Sequence, residues 1–422
     1  MRKMKDSGIE WLEKVPIDWN IERLQWHLYE INVKNNPIKT TNILSLTNKR
    51  GVIPYEEKGA QGNISKENYN EYKIAYKDTI VANSMNILIG SVGYSNYEGC
   101  VSPVYYVFKE HVGSNLKFIN YIMQTVQFQK ELRKYANGIL EIRLRVSADD
   151  ILKTKVAIPS LLEQQKIVLF LDEKCKDIND AIVEVENQVN LLEEYKKSII
   201  TEKITFGIKK NIKTKHTNYM YWECIPEDWS LIDIKYLFEI VKRIAGKEGY
   251  DVLSVTQNGL KVKDLSNNEG QIAESYANYQ FVYPTDFVMN HMDLLTGWVD
   301  CSTMFGVTSP DYRVFKLRDK NNNLTYYKYV LQSCYFNKVF YSLGNGVSNL
   351  GRWRLQTDSF NNFLFPVPSY EEQKQIAEYL DKKCNEIDAI IEEKKKQIEM
   401  LEQYKKSIIY EYVTGKKEVP NE

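Results

Sequence analysis

The sequence has no excess of charge of either sign, because 56 Lys and Arg residues balance 56 Asp and Glu residues. This balance argues against a simple polycation that coats nucleic acid. No apolar run approaches the roughly 18 residues that a membrane-spanning helix needs, and the N-terminus lacks the apolar stretch of a secretory signal peptide. We therefore expect a soluble protein that works in the cytoplasm.

Cysteine and histidine are scarce, and neither forms a cluster along the chain. The six Cys residues show no Cys-x-x-Cys spacing, and the four His residues are scattered. Zinc sites and disulfide frameworks both depend on regular spacings of such residues. We therefore expect reduced, buried thiols and no metal site.

The catalytic motifs that can be recognised by spacing are also missing. There is no G-x-x-x-x-G-K-[ST] loop, and no G-x-G-x-x-G motif follows a predicted strand. Asn35-Asn-Pro-Ile38 lacks the closing Pro-aromatic pair of an amino-methyltransferase loop, and Glu71-Tyr-Lys73 has the Glu-x-Lys form of some nucleases without a suitably placed upstream Asp. We expect no catalysis by this chain and no cofactor bound to it.

The chain does contain an internal repeat. Residues 159–202 return 209 residues later as 368–411, and 22 of these 44 positions are identical without a gap. Both copies contain Glu-Gln near the start, a Cys, and the run Tyr-Lys-Lys-Ser-Ile-Ile near the end. Chance does not produce such identity, so the repeat is the organising feature of the chain.

Each copy of the repeat predicts one long helix. The segments 159–163 and 368–372 are Pro-Ser-x-x-Glu capping boxes, in which the Ser oxygen accepts from a free backbone amide and the Glu reaches back to the amide of the cap. Neither copy contains a further Pro or Gly until Gly207 and Gly415, which suit a helix end.

An apolar stripe with heptad spacing runs along each predicted helix. It comprises Leu171, Ile178, Val185, Leu192 and Ile199 in the first copy, and Leu380, Ile387, Leu401 and Ile408 in the second. A stripe that extends over about four to five heptads needs a partner helix. The nearest candidate partner of each helix is the other copy.

Two more variable parts, 26–158 and 239–367, precede the two helices. Their short runs of Val, Ile, Tyr and Phe, broken by Gly, Asn and Asp, predict strands joined by loops. Related lead segments, 8–25 and 218–237, stand before them and share a Pro-x-Asp-Trp motif. Because the helices stay nearly constant while the other parts diverge, we expect the helices to share one task and the variable parts to have separate targets.

Loops in the variable parts carry side chains that suit the edges of bases. Arg and Lys match guanine O6 and N7, Asn and Gln match adenine N6 and N7, and Arg also binds phosphate. A solvated turn is the alternative at every position. The candidate DNA-binding residues are Lys49, Arg50, Asn83, Ser84, Asn86, Arg143 and Arg145 in the first part, and Gln257, Asn258, Asn290, His291, Arg352 and Arg354 in the second.

With these features, the sequence resembles the specificity (S) subunit of type I restriction–modification systems. The resemblance covers essentially the whole chain. It is carried by the tandem repeat, by Ile/Val-Pro-x-Asp-Trp at 15–19 and 225–229, by the Pro-Ser-x-x-Glu-Gln helix starts, by the Tyr-Lys-Lys-Ser-Ile-Ile helix ends, and by Val/Thr-Ser-Pro-x-Tyr at 101–105 and 308–312.

The resemblance implies an α+β fold with two α/β target-recognition domains and an internal pseudo-two-fold repeat. Two long antiparallel coiled-coil helices would separate these domains. The implied parts are target-recognition domain 1 (1–158, here head 1), conserved helix 1 (159–207), target-recognition domain 2 (208–367, here head 2), and conserved helix 2 with a tail (368–422).

The resemblance further implies a non-catalytic subunit, each head of which recognises one half of a bipartite, asymmetric site in double-stranded DNA. The helices would set the spacing and dock two methylase (M) subunits, and motor-nuclease (R) subunits would join for restriction. S-adenosylmethionine, ATP and Mg are then expected on the partner subunits.

Other functions remain open at the level of sequence. The chain could be the recognition subunit of a type II-like methyltransferase–nuclease, a coiled-coil adaptor whose heads bind proteins, or an enzyme whose site has no recognisable motif. Co-purification separates a type I specificity subunit from an adaptor, because a specificity subunit binds a methylase in about two copies and an adaptor binds none.

Overall fold

The computed structural model divides the chain into two compact units. It describes residues 2–48, 50–59, 68–136, 144–264, 274–346 and 353–420. Unit 1 comprises Met1–Glu186 and Lys396–Glu422, and unit 2 comprises Asn187–Lys395. Each unit therefore contains one head together with one part of each long helix.

Short strands are the commonest regular elements of both heads, as the broken apolar runs predict. Unit 1 forms β1 (Met4–Asp6), β2 (Lys14–Pro16), β3 (Asn20–Arg23), β4 (Leu28–Glu30), β5 (Leu44–Thr47), β6 (Gly51–Pro54), β7 (Lys73–Ala75), β8 (Thr79–Asn83), β9 (Val92–Ser95), β10 (Gly99–Val101), β11 (Tyr105–Glu110) and β12 (Lys155–Ile158). Unit 2 forms β13 (Thr214–His216), β14 (Cys224–Pro226), β15 (Ser230–Asp233), β16 (Phe238–Val241), β17 (Leu253–Thr256), β18 (Gly259–Val262), β19 (Gln280–Val282), β20 (Phe287–Met289), β21 (Val299–Cys301), β22 (Gly306–Thr308), β23 (Arg313–Leu317) and β24 (Leu364–Val367).

The α-helices include two that are far longer than the rest. In chain order they are α1 (Leu116–Gln124), α2 (Val126–Arg133), α3 (Ala148–Lys153), α4 (Leu161–Phe206), α5 (Ile234–Leu237), α6 (Leu324–Phe336), α7 (Val339–Ser342), α8 (Thr357–Asn361) and α9 (Tyr370–Val413). Short 3-10 turns occur at Leu24–Trp26, Tyr55–Lys58, Tyr69–Glu71 and Ile87–Ile89. None of the helices described is long and apolar enough to cross a membrane.

The two heads have the same strand topology. In unit 1 an antiparallel sheet has the order β4-β11-β8-β9, and pairs form between β1 and β2, β3 and β12, β5 and β6, and β7 and β10. Unit 2 repeats this arrangement with every strand number raised by twelve. Even the register is kept, since Val107 pairs with Val81 in one sheet and Val314 with Val288 in the other. The duplicated α/β heads predicted from the sequence are confirmed.

The long helices contribute to the core of each unit. In unit 1, Leu171 of α4 and Ile408 of α9 belong to the same buried cluster as Trp19 of the lead segment. In unit 2, Ile204 of α4 and Leu380 of α9 belong to a cluster with the second lead-segment tryptophan. The heptad stripes are therefore covered partly by head residues as well as by the other helix.

The two long helices run antiparallel within unit 1. Phe170 of α4 packs against Tyr412 of α9 with 4.5 Å between the ring centroids. Further along, Lys405 Nζ donates to Asn179 Oδ1 at 2.8 Å. Residue numbers rise along one helix as they fall along the other, which is the antiparallel arrangement that the resemblance implies.

The same arrangement recurs in unit 2 at equivalent positions of the repeat. Lys196 Nζ donates to both carboxylate oxygens of Asp388, at 2.6 and 2.7 Å. The Lys203 ammonium lies 5.9 Å from the ring centroid of Tyr379. Since Lys196 and Lys405 are equivalent residues of the two copies, each lysine makes the corresponding bond in its own unit.

The capping prediction is half right. The Oγ atoms of Ser160 and Ser369 accept from the amides of Glu163 and Glu372, at 3.4 and 3.3 Å, as expected of N-cap residues. The predicted return bond from the Glu side chains is wrong. Both carboxylates instead bind side chains of the lead segments, because a tertiary partner is available to them.

That partner is the buried tryptophan of each lead segment. Trp19 Nε1 donates to Glu163 Oε2 at 3.2 Å, and Trp229 Nε1 donates to the equivalent Glu372 oxygen at 3.2 Å. Trp19 and Trp229 are 0% and 1% exposed, so each indole N–H needs an acceptor within the protein. A cation lies beside each carboxylate, since Arg2 binds Glu163 and Lys209 Nζ lies 3.5 Å from Glu372 Oε1.

The glutamine that follows each glutamate binds the head. Gln164 Oε1 accepts from the amide of Asn115 at 2.9 Å, and its Nε2 donates to the Pro159 carbonyl at 3.0 Å. Gln373 makes the same two bonds, at 2.8 Å to the Asn323 amide and at 3.1 Å to the proline before its own helix. The asparagines are the N-caps of α1 and α6. The Glu-Gln dipeptide thus joins each long helix to one head.

Both long helices end where the glycines predict. α4 stops at Phe206 and Gly207 follows with φ of +74°, while α9 stops at Val413 shortly before Gly415 with φ of +68°. A Cβ atom at Gly415 would lie 2.4 Å from Pro16 Cγ, so this glycine also permits close packing against the first lead segment. The predicted burial of the cysteines is confirmed at four of six positions, because Cys224 and Cys301 are partly exposed.

We predict that Gln164→Leu destabilises unit 1 while Gln165→Leu does not. The substitution at Gln164, which is 2% exposed, leaves the buried Pro159 carbonyl without a partner, at a cost of about 1–3 kcal/mol, and also removes the acceptor of the partly buried Asn115 amide. Gln165 is exposed and serves as the matched control. Urea unfolding and amide exchange at 113–118 measure the effect. Equal stability of the two variants would contradict the role assigned to Gln164.

Candidate nucleic-acid interface

Three loop segments of head 1 lie beside one another. The turn between β5 and β6 approaches the segment after β8, where Asn48 Nδ2 lies 3.5 Å from the Ile89 carbonyl oxygen. The stretch before α3 reaches the same segment, because the Val146 amide donates to the Ser84 carbonyl at 3.2 Å. The structure therefore brings together three segments that the sequence separates by up to 98 positions.

The equivalent three segments of head 2 also meet. Gln257 Nε2, in the turn between β17 and β18, lies 3.4 Å from the Thr296 carbonyl oxygen. The Leu355 amide, just before α8, donates to the His291 carbonyl at 3.0 Å. Both heads thus gather the described candidate residues at the same place in the fold.

Six of the candidates have exposed side chains in these loops. Arg50 is engaged by Glu57, whose carbonyl accepts from Nη1 at 3.1 Å and whose carboxylate accepts from Nη2. Arg145 Nη2 lies 3.8 Å from Met85 Sδ, so its guanidinium lies over the segment after β8. The exposed candidates are Arg50, Asn86, Arg145, Gln257, Asn258 and Arg354.

Two asparagine candidates shape the loops. Asn83 Oδ1 accepts from the Met85 amide at 3.0 Å, and Asn290 Oδ1 accepts from the Met292 amide at 3.3 Å. Asn83 and the adjacent Ser84 are 6% and 5% exposed. The side-chain oxygen of each asparagine is therefore used to form the turn. Three further candidates, Lys49, Arg143 and Arg352, lie outside the described residues.

His291 is held as a neutral imidazole. Burial, assisted by the positive charges of Arg313 and Arg354, lowers the pKa of His291 to about 4. Its Nδ1 atom is buried and has no hydrogen-bond partner among the residues that the structure describes. Because Nδ1 is enclosed, Nε2 is the ring atom left to meet a base, as an acceptor or a donor according to the tautomer.

The sequence did not indicate the importance of Arg313. This side chain is 5% exposed, and burial lowers its pKa to about 10. Its guanidinium donates to the Leu355 carbonyl at 3.1 Å and lies 4.6 Å from the ring centroid of Phe360. The available signal was the comparison of the repeats, because Arg313 stands where head 1 has Tyr106.

The residues that resembled catalytic motifs have structural roles. Asn35 is 0% exposed, its Oδ1 accepts from the amides of Lys39 and Thr40, and its Nδ2 donates to the Thr40 and Tyr69 carbonyls. Lys73 of the Glu-x-Lys triplet donates to the Tyr105 carbonyl at 3.0 Å. No group of three or more His, Cys, Asp or Glu residues in the described parts of the chain is placed to hold a metal ion.

Comparison with known proteins gives consistent relatives. The Type I restriction enzyme MjaVIII specificity subunit of Methanocaldococcus jannaschii is 27% identical over 285 residues, covering 63% of this chain and 63% of that protein. The putative type I restriction enzyme MjaX specificity subunit of the same organism is 24% identical over 307 residues, covering 68% and 65%. The matches span less than two thirds of each relative's length.

A solved structure shows that the fold is shared. A chain described under "Structural basis underlying complex assembly and conformational transition of the type I R-M system" has a TM-score of 0.66 and 12% identity to this protein. The likeness covers 95% of this chain and 99% of that one.

A family model is matched twice along the sequence. Residues 18–191 and 226–400 each match the type I restriction modification DNA specificity domain. The two matches follow the internal repeat and include both heads with most of both long helices. The chain therefore belongs to the family of type I restriction modification DNA specificity proteins and carries two copies of the domain in tandem.

Proposed function

We propose that this chain is the DNA-specificity subunit of a type I restriction–modification complex, in which each head recognises one half of a bipartite, asymmetric site in double-stranded DNA. The observation that carries the proposal is the contrast between framework and loops. The two heads share strand order and register, and they bring the same three segments together. The side chains on those segments nevertheless differ.

The differences have the character expected of residues that contact bases. At the hairpin turn, head 1 carries Arg50 and head 2 carries Gln257 with Asn258. Arginine favours guanine, whereas the amide side chains favour adenine. Arg145 and Arg354 occupy equivalent exposed positions and suit phosphate contacts, which orient a protein on DNA without selecting sequence. Two different heads on one framework suit a site with two unlike halves.

The long helices are proposed to dock two methylase subunits. Tyr195 of α4 and Tyr404 of α9 are equivalent residues of the repeat, and each is 57% exposed. One turn earlier, Leu191 and Met400 are 64% and 62% exposed. Large apolar side chains exposed together are typical of interaction surfaces. Two matching patches support the binding of two copies of one partner.

Catalysis and its cofactors belong to the partners in this proposal. S-adenosylmethionine is expected on the methylase subunits, and ATP with Mg is expected on the motor-nuclease subunits. The buried, fully bonded amide of Asn35 supports this division, because it has no capacity left to bind a target base. We expect these encounters to take place in the cytoplasm.

The first prediction concerns activity. The purified chain, incubated alone with DNA and labelled S-adenosylmethionine, should incorporate no label above background. Addition of a cognate methylase should start incorporation into adenine. Transfer by the isolated chain would contradict the proposed division of work and would favour an enzyme with an unrecognised site.

The second prediction concerns sequence recognition by head 2. Gln257→Ala should relax one position of one half-site and cost about 1–3 kcal/mol in binding to that base. Sequencing of methylated DNA from cells that carry the variant gives the recognised motif. The half-site of head 1 is the internal control and should not change. Lys261→Ala, on the same hairpin and also exposed, should alter affinity at most and leave the motif intact. An unchanged motif in Gln257→Ala would make this glutamine a solvated turn residue.

The third prediction concerns the spacing between half-sites. A heptad inserted after Asn187, matched by one after Lys396, preserves the Asn179–Lys405 and Lys196–Asp388 pairs, because the residue numbers of each pair add up to the same total. The insertion lengthens both helices by about 10 Å. Since DNA rises about 3.4 Å per base pair along a strand, the unspecified gap should grow by up to about three base pairs.

Sequencing of methylated DNA also measures this gap. Both half-site sequences should persist while the gap grows by a whole number of bases. The control is a single heptad inserted in α4 alone, which shifts one helix against the other and should abolish activity. An active doubly inserted variant with an unchanged gap would show that the methylase subunits set the spacing.

A further inference from the structure

Arg313 is a buried cation without a carboxylate partner. It is 5% exposed in β23, and no Asp or Glu of the described residues forms an ion pair with it. Burial of a charge without an opposite charge is costly, even when the group is hydrogen-bonded. The presence of an unpaired buried charge under the candidate loops of head 2 therefore indicates a specific role for Arg313 there.

The contacts of Arg313 show what it holds. Its Nη2 atom donates to the Leu355 carbonyl at 3.1 Å and to Thr357 Oγ1 at 3.3 Å. The amide of the same Leu355 donates to the His291 carbonyl at 3.0 Å. Arg313 and His291 thus hold the two sides of one peptide segment, and this segment carries Arg354. The guanidinium binds the segment before α8 directly, and that segment is bonded in turn to the loop that carries His291.

The charged groups around His291 are mostly positive. Arg313 faces it from β23 and Arg354 faces it from the segment before α8, and both disfavour the imidazolium. From α6, the Tyr335 hydroxyl donates to the Asn290 carbonyl at 2.8 Å, and burial keeps this hydroxyl protonated by raising its pKa. Asp293 in the same turn accepts from Thr296, including its backbone amide at 2.9 Å. The carboxylate therefore has partners of its own.

From this geometry we infer that Arg313 is a positioning residue of head 2, and that His291 is a specificity-determining residue that recognises a base edge as a neutral imidazole. The DNA part of this inference rests on the proposed function, whereas the electrostatic part does not. Because Nδ1 is enclosed, the ring meets a base through Nε2, which is an acceptor when the proton of the neutral ring is on Nδ1. Protonation turns Nε2 into a donor, so it would change the base that the ring favours.

Head 1 lacks both the buried arginine and the histidine, so it serves as an internal control. Tyr106 stands at the position of Arg313, and Ser84 stands at the position of His291. No titratable imidazole is present in that turn. A perturbation that acts through the protonation of His291 must therefore change recognition of one half-site and spare the other.

The first experiment tests the electrostatic part in the full-length chain without DNA. With four histidines in the sequence, the ring signals of a 13C-labelled sample can be followed by NMR from pH 3.5 to 8, and His291→Gln assigns the relevant signal. His291 should titrate near its pKa of about 4 in the wild type. In Arg313→Met it should titrate at a measurably higher pH, because one of two nearby positive charges is gone while the burial and Arg354 remain.

Two further variants separate charge from structure. Arg313→Lys keeps the charge and should keep the pKa of His291 depressed. Lys316→Met removes an exposed charge from the same strand and should leave the pKa unchanged. If Arg313→Met does not fold, Arg354→Met provides the same test from the other side of the ring. An ordinary pKa for His291 in the wild type, or no rise in either neutral variant, would overturn the electrostatic inference.

The second experiment tests recognition in the methylase complex between pH 5.5 and 7.5. For the wild type, discrimination at the half-site of head 2 should be constant over this range. For Arg313→Met, discrimination should fall as the pH is lowered, in step with the protonated fraction of His291 that the NMR titration gives for this variant, which is roughly a quarter at pH 5.5 if the pKa is about 5. The half-site of head 1 should show no such change. Equal losses at both half-sites, or a pH-independent loss at one, would contradict the role of the neutral ring. If the complex recognises no bipartite site at all, the proposed function fails while the NMR result still stands.

Discussion

The bond between a buried indole and a glutamate at the start of a long helix is the contact on which each unit depends. Trp19 and Trp229 are fully enclosed, and their N–H groups have one acceptor each, Glu163 and Glu372. A buried indole N–H without an acceptor would lower the free energy of unfolding by about 1–3 kcal/mol. The next residue along the helix binds the N-cap of a head helix. Two adjacent side chains therefore orient a lead segment, a head and a long helix together.

The bonds made by the tryptophan, the glutamate and the glutamine of each unit explain why the two repeats diverge in some places and not in others. Each of these residues makes a hydrogen bond that depends on its partner, so their identities and spacing are kept in both copies. Further along the helices, Asp172 and Asp381 accept from Tyr121 and Tyr329 at 2.7 and 2.8 Å, and again both units make the same bond. The candidate loops take no part in these bonds. They can vary in charge and hydrogen-bonding capacity while the strand register beneath them is preserved.

The sequence predicted the long helices and the duplicated heads because their signals are local and periodic. It failed where a residue's partner is distant. Glu163 matches a capping box, yet a tryptophan 144 residues away takes its carboxylate. Arg313 looked like an ordinary polar residue in a strand, and only the sheet and α8 around it show that it is buried. The convergence of the loops could not be derived either, since it depends on the packing of β8 and β20 against their neighbours. The loop residues themselves stay predictions, because no DNA contact has been observed.

The division of the chain into units also has a consequence for biosynthesis. Unit 2 is one continuous stretch, Asn187–Lys395, and it can close as soon as that stretch has left the ribosome. Unit 1 is discontinuous, and its core includes Ile408, Tyr412 and Val413 from the end of the chain. Domains fold as their residues are synthesised, and contacts between distant residues form late. The head that is made first is therefore the one that is completed last, and until the residues of α9 have been made it presents an uncovered apolar stripe along the first half of α4.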